Sequence, residues 1–333
     1  MNIGFHYYLT KTIAIKAGFS PEEAQIIAYA CEYVDDATEH VKLKVRNMPE
    51  PTYKRMGKNW FDPTCTAHRG IQNIRFNFTN IRKKILLPFH FIPAGWDENG
   101  KKFDFLTVPD APKAQELVRS ALEKLRAAPQ ETPDRGKALI SLGIALHSYE
   151  DTFAHQNFSS RNNLKENGVA EARIVTNSKK KKPHPIGKLQ GFLGYSIGHG
   201  LLWSYPDMFN TEVTYLDGRK NNVRIDTMER FLLAARKTYD LLREYTGKPD
   251  EWNTFLPKIR KCLQKNYKTK TSWQKIFASQ FSGIDYHYSS KTWLNRTLRI
   301  RKGGDISYKG DMIWFNFHQA AHKQRLLMMK ELG

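Results

Sequence analysis

The 333-residue sequence has three cysteines, Cys31, Cys65 and Cys262. They are too few and too scattered for a disulfide framework or an all-thiolate zinc site. Acidic residues are in short supply, with 33 Asp+Glu against 53 Lys+Arg and a formal net charge of +20. That excess leaves two explanations open, an anionic partner or solubility alone. No apolar run approaches the ~18 residues of a membrane-spanning helix. The opening Met1-Asn2-Ile3-Gly4-Phe5-His6-Tyr7-Tyr8 lacks the basic start and apolar stretch of a secretion signal. A soluble, cytoplasmic protein is therefore expected. β signal is thin, confined to one hairpin candidate, Glu212–Asp217 and Asn222–Ile225 around Asp217-Gly218.

What is present is apolar material, 40% hydrophobic and 12% aromatic residues, enough for a substantial core. Helical patterns dominate. Ser20-Pro21-Glu22-Glu23 reads as a capping box with proline at the first helical position. Behind it Ala24, Ile27, Ala28, Cys31, Val34 and Asp35 recur on one face. A second helix is expected over Lys113–Ala128, and a third from Thr132-Pro133 to about His155. Others are expected over Ile186–Trp203, Thr227–Tyr245, Asp250–Lys265, Thr271–Phe281 and Met312–Leu332. Asn47–Pro63, Trp96–Pro112 and Arg161–Pro185, the last with Lys179–Lys182, read as irregular and solvated. The expected fold class is all-α. It is a single helical domain over 1–333, with irregular insertions and at most one small β-hairpin.

Chemistry concentrates in His147-Ser148-Tyr149-Glu150-Asp151-Thr152-Phe153-Ala154-His155. Positions four apart on a helix share a face, so His147, Asp151 and His155 line up with neighbouring Cβ atoms ~6 Å apart. They continue a stripe of Ile140, Gly143 and Ile144 that should point inward. Burying two imidazoles and a carboxylate without partners is costly, and a divalent metal partners all three. The bland alternative is a helix whose His and Asp bond one another or face water. His318 and His322 share the four-residue spacing, but their neighbours Gln319, Lys323, Gln324 and Arg325 predict a solvated face.

The phrase from Ala145 to Phe158, Ala-Leu-His-Ser-Tyr-Glu-Asp-Thr-Phe-Ala-His-Gln-Asn-Phe, resembles the central motif of the zinc-dependent phospholipase C and single-strand nuclease superfamily. Phe5–Tyr8, Tyr33–Thr38, Ala67-His68, Pro88–Phe91 and Gly198–Gly200 look like further blocks of one uncharacterised bacterial family within it. The blocks cover residues 5–207, and the likeness offers nothing useful after about Asn210.

The resemblance implies a phospholipase C-like helical fold with two or three clustered zinc ions and hydrolysis of a phosphate ester. Carried over residue by residue, His147 and Asp151 would be ligands of the first metal, with Asp151 able to bridge. His155 and His199 would belong to the second site, and His6 would match the ligand near the start of the chain. The preceding carboxylate matches Asp35 or Asp36. Periodicity favours Asp35, which would be a ligand or the base that orients the attacking water. The intervening histidine is His68, favoured by order, or His90, which a packed aromatic setting would also explain.

Two departures stand out. Secreted members of the superfamily use a processed N-terminal amine as a ligand, and the missing signal peptide puts that contribution in question. One helical turn after His199 the expected acid is replaced by Trp203. Asp207 could fold back to serve, or could be a turn residue after Pro206. The basic excess tilts the substrate towards an anionic polymer or a membrane headgroup. The competing class is a non-catalytic, metal-stabilised helical protein that binds an anionic partner.

Overall fold

The structure, a computed structural model, describes residues 1–49, 59–67, 78–96, 103–175, 181–183 and 198–332. A π-helical stretch, Gly4–Leu9, runs directly into α1 (Thr10–Lys16). The capping box then starts α2 (Pro21–Asp36). The Ser20 hydroxyl accepts the Glu23 N–H at 3.1 Å, and the Glu23 carboxylate accepts the Ser20 N–H at 3.3 Å. After the short α3 (Phe78–Ile81) comes a second π-helical stretch, Arg82–His90, with Pro88 inside it. A proline there lacks an N–H and crowds the carbonyl four residues back, and a widened turn relieves both problems.

α4 (Pro112–Ala127) and α5 (Pro133–Ala154) follow, close to the expected bounds. From Leu142 to His155 every residue of α5 and its C-cap is buried. α5 is therefore the central rod of the molecule, with α2, α4, α7 (Thr227–Thr246) and α11 (Ile313–Leu332) packed around it. Between these lie α6 (Leu164–Asn167), α8 (Trp252–Cys262), α9 (Lys270–Gln280) and α10 (Thr292–Thr297). The C-terminal segment is part of this core. Gln324 of α11 donates through its side-chain amide to the Pro88 carbonyl and to the Ser148 hydroxyl, both at 2.9 Å.

The expectation of an all-α fold is overturned by three sheets. One combines β1 (Leu43–Arg46), β2 (Trp60–Phe61), β9 (Leu298–Ile300) and β10 (Ile306–Tyr308) in the order β2-β1-β10-β9, with β1 and β10 parallel. A second pairs β3 (Pro93–Trp96) with β4 (Phe103–Thr107). The third joins β5 (Val169–Val175), β6 (Lys181–Pro183), β7 (Glu212–Asp217) and β8 (Asn222–Asp226) in the order β6-β5-β7-β8. The expected hairpin is β7–β8, but it is half of a larger sheet. That sheet has its own small core, including Phe91, Phe158, Leu202, Val213 and Ile225.

Most of these strands are two to five residues long, too short for period-two alternation to declare itself. Several also pair with partners far away in sequence. The segments expected to be irregular thus contribute β2, β4, β5 and β6, with Lys181 and Lys182 in β6. The helix expected over 186–203 falls largely outside the described residues. Its described end is a turn and the short 3-10 helix Gly200–Leu202.

α2 and α5 touch where Gly143 has no side chain. A Cβ at that position would lie 2.3 Å from the Ile27 carbonyl oxygen and 2.6 Å from the Ala30 Cβ. His318 and His322 face inward, contrary to the solvated face expected of them. His318 packs against Tyr33, Phe61, Trp314 and Phe317, with Nδ1 3.1 Å from both the N–H and the carbonyl of Thr64. Burial pushes its pKa down to about 3.

Two outcomes follow for stability. Gly143→Ala should lower the unfolding free energy by about 1–3 kcal/mol through overpacking, read by thermal or urea denaturation. An unchanged midpoint would mean that α2 and α5 are not in such contact. The second concerns acid. Unfolded His318 takes up a proton below pH ~6.5, whereas the folded residue resists until about 3. In that window the unfolded state binds more protons, so stability rises with pH. The stability of wild type relative to His318→Gln should therefore fall by ~1.4 kcal/mol per pH unit on acidification below 6.5.

Candidate metal centre

The close approach at Gly143 brings the C-terminal half of α2 against the His147 turn of α5. His147 Nδ1 donates to the Cys31 carbonyl of α2 at 2.9 Å. His155 Nδ1 donates to the His90 carbonyl at 2.6 Å, and His199 Nδ1 donates to the Trp203 carbonyl at 2.6 Å. His90 Nε2 donates to the Thr66 carbonyl at 2.9 Å. A carbonyl can only accept, so each of these four rings carries its proton on the nitrogen facing the backbone. The other nitrogen of each ring turns towards the carboxylates.

Those nitrogens form two groups. In the first, His147 Nε2 and His90 Nδ1 are 3.2 Å apart, and each is 3.8 Å from Asp35 Oδ1. Asp151 Oδ2 adds a fourth donor, 3.3 Å from His147 Nε2 and 3.0 Å from His90 Nδ1. In the second, His155 Nε2 lies 3.7 Å from Asp207 Oδ1 and His199 Nε2 lies 3.2 Å from Asp207 Oδ2. The other Asp151 oxygen, Oδ1, faces His6 Nε2 at 3.2 Å and the Met1 amino group. That amino group also lies 3.6 Å from Asp207 Oδ1.

These spacings fit a metal. A tetrahedral ion with bonds of ~2.0–2.2 Å sets its ligand atoms ~3.3 Å apart. Two bare imidazole nitrogens 3.2 Å apart repel unless a cation, at the least one proton, lies between them. Asp207 Oδ1 is buried without a hydrogen-bond partner, so it too is unsatisfied.

Electrostatics point the same way. Burial alone would raise the Asp151 pKa, but the Met1 ammonium, His155 and His147 hold it well below the carboxylate range. Burial opposes charge on the Met1 amine, yet Asp151, Asp207 and Asp35 push its pKa up to about 11. Asp207 is likewise lowered, with His199 and the Met1 amine outweighing burial. The His90 and His199 rings are raised against burial, by Asp151 and Asp35 in the first case and Asp207 in the second. His155 is pushed down to about 3 by burial, and His6 falls well below its usual value through burial and the stacked His147. With the rings neutral, the three carboxylates Asp35, Asp151 and Asp207 outnumber the single amine.

Of the expected residues, His6, Asp35, His90, His147, Asp151, His155, His199 and Asp207 converge here. Asp35 faces the histidines, whereas Asp36 Oδ2 accepts the Tyr288 hydroxyl at 2.8 Å. His90 belongs to the cluster, and His68, the alternative that order favoured, lies outside the described residues. Asp207 does fold back. Trp203 takes part through its carbonyl, while its side chain is 53% exposed.

Sequence reasoning missed Glu150, which is fully buried, with Oε2 2.9 Å from His6 Nδ1. Thr10 donates to its other oxygen at 2.9 Å, and the Cys31 thiol donates to Oε2 at 3.3 Å. Burial pushes the Glu150 pKa up to about 8. No sequence signal marked it, since a place beside Asp151 does not say where a side chain points.

Asp151→Asn tests this electrostatic account without any metal. In chelator-treated protein it removes the charge partner of the buried Met1 ammonium. The loss should be about 3–5 kcal/mol in urea unfolding, the usual result of breaking a buried pair. A loss under about 1 kcal/mol would contradict the burial of these charges.

Comparison with known proteins adds a family and no activity. No curated protein matches the chain, and no solved structure does. Across residues 1–332 the chain matches a family of unknown function, DUF6765, and it belongs to that family.

Proposed function

We propose that this chain is a metal-dependent hydrolase of phosphate esters, with zinc or a similar borderline divalent ion held by the histidine–aspartate cluster. The observation that carries the metal reading is the proton placement. Four histidines spend their N–H groups on backbone carbonyls and aim bare nitrogens at Asp35, Asp151 and Asp207. Fixing the outer nitrogen in this way orients a ligand histidine. The phosphate-ester reading draws on the resemblance to the zinc-dependent phospholipase C and nuclease superfamily, and the +20 charge suits an anionic substrate.

Asp35, His90, His147 and Asp151 would hold one ion; His155, His199 and Asp207 would hold a second. His6 and the Met1 nitrogen flank Asp151 Oδ1, where a third would share that carboxylate. Bound metals would supply a water acidic enough to ionise near neutral pH and positive charge for the phosphoryl oxygens. The chain's own residues do the positioning. Asp35 is the half-buried carboxylate of the first group and so the one best placed to orient a water at the solvent side. Glu150 and the Cys31 carbonyl hold the His6 and His147 rings in place from behind. Imidazole and carboxylate donors suit zinc without thiolate, and Cys31, although close to His6, is held protonated by burial beside Glu150.

The test combines metal analysis with turnover. Protein purified without added metal should carry two or three transition-metal ions per chain and cleave bis(p-nitrophenyl) phosphate. Asp35→Asn and His199→Gln should each lower kcat by at least about 100-fold, and Asp35→Asn should do so with little change in Tm, since its side chain is partly exposed. Metal-loaded protein inactive on phosphodiesters, phosphomonoesters and phospholipids, and merely melted by chelation, would favour a structural metal instead.

A further inference from the structure

Away from the histidine cluster, a cavity of about 770 Å³ opens beside α1 and α2, and none of the cluster residues lines it. Its size falls within the ~300–1,000 Å³ typical of small-molecule sites. Ile15, Ile26, Tyr29, Phe281 and Trp293 give it apolar walls, and Lys11 also lines it.

Lys11 is the unusual member. It is only 3% exposed. Its ammonium donates to the Gln25 side-chain oxygen at 2.5 Å and to the Asp285 backbone carbonyl. The Tyr7 and Tyr286 rings lie 5.9 and 6.0 Å from Nζ. All of these partners are neutral, and no carboxylate among the described residues reaches ion-pair distance. An ammonium has three N–H groups, so one remains. A buried charge without a counter-charge is costly to keep, and such a group is usually matched by a ligand or a carboxylate.

The wider lining agrees. Lys16 and Lys258 add positive charge, while Arg296 is taken up by Asp311 at 2.6 Å. Against them stand Glu22, which is exposed, and Asp285, whose carboxylate accepts the His287 N–H at 3.0 Å. Burial lowers the Lys11 pKa and Asp285 works against that fall; a bound anion would add to the opposing effect.

We propose that this cavity binds a small organic anion, its carboxylate-like head on the Lys11 ammonium and its apolar body against Tyr29 and Trp293. The inference is independent of the phosphoesterase reading. Titration calorimetry on the protein as purified tests it with decanoate and 2-naphthoate as probes and decanol as the uncharged match. At least one acid should bind with one-to-one stoichiometry, and the better of the two tells an aliphatic body from an aromatic one. Decanol should bind at least about tenfold more weakly than decanoate if the body is aliphatic, a difference of one charged hydrogen bond. Lys11→Met should weaken the favoured acid about tenfold or more while leaving Tm unchanged or higher. If that variant does not fold, Ile26→Trp, which fills the cavity without touching the ammonium, should abolish acid binding. The proposal is overturned if neither acid saturates, or if binding survives either substitution undiminished.

Discussion

The carboxylate of Asp151 is the constraint around which the rest of the molecule is organised. It sits in the stretch of α5 and its C-cap from Leu142 to His155, where every residue is buried, so bulk water does not reach it to offset its charge. Both of its oxygens must therefore be met by groups brought from elsewhere in the chain. Oδ1 meets the Met1 amine and, from the first π-helical stretch, His6; Oδ2 meets His90 from the second and His147 from α5 itself. Each of those groups is in turn fixed by something further out. His90 is held by Thr66, and His147 by the α2 backbone. The α2 backbone comes close enough only because residue 143 is glycine.

Both π-helical stretches deliver a histidine to this point, and that is a reason for their irregularity. An extra residue per turn re-aims the side chains that follow it, and such bulges recur at functional sites. Gly4–Leu9 places His6 inward while Tyr7 and Tyr8 pack behind it. Arg82–His90 ends at His90, and the carbonyls of Pro88 and His90, left without intrahelical partners at the helix end, accept from Gln324 and His155. Backbone irregularity that costs stability in isolation is retained where it settles the orientation of the cluster.

Much of this was legible in the sequence, and the residues show why. Ser20 to Glu23 and Thr132-Pro133 mark helix starts through local chemistry, and local chemistry is what a sequence displays. The four-residue spacing of His147, Asp151 and His155 is likewise a property of one helix, as is the choice of Asp35 over Asp36. What was not legible depends on partners distant in sequence. β1 pairs with β10 some 260 residues later, and neither is long enough to announce itself. His318 reads as exposed from its charged neighbours, yet it is buried because Thr64 and Phe61 come to cover it. That His90 joins the cluster is likewise a matter of tertiary placement, and Glu150 was invisible because adjacency to a ligand says nothing of where a side chain goes.

The centre also reinterprets the charge of +20. A basic chain encloses a cluster of three carboxylates, Asp35, Asp151 and Asp207, against one amine, so with neutral rings the cluster is opposite in sign to the chain. That metal-free cluster would, on the proposed reading, repel the phosphate ester that a basic surface would draw in. On the proposed reading, two divalent ions add four positive charges to the cluster and reverse its sign. Metal and phosphate would then favour each other's binding. By linkage the coupling must be reciprocal, with each ligand tightening the other by the same factor. The surface charge can draw an anion near, but only the loaded centre would give it a reason to stay. Affinity for phosphate should thus report on metal occupancy more directly than on the number of lysines outside.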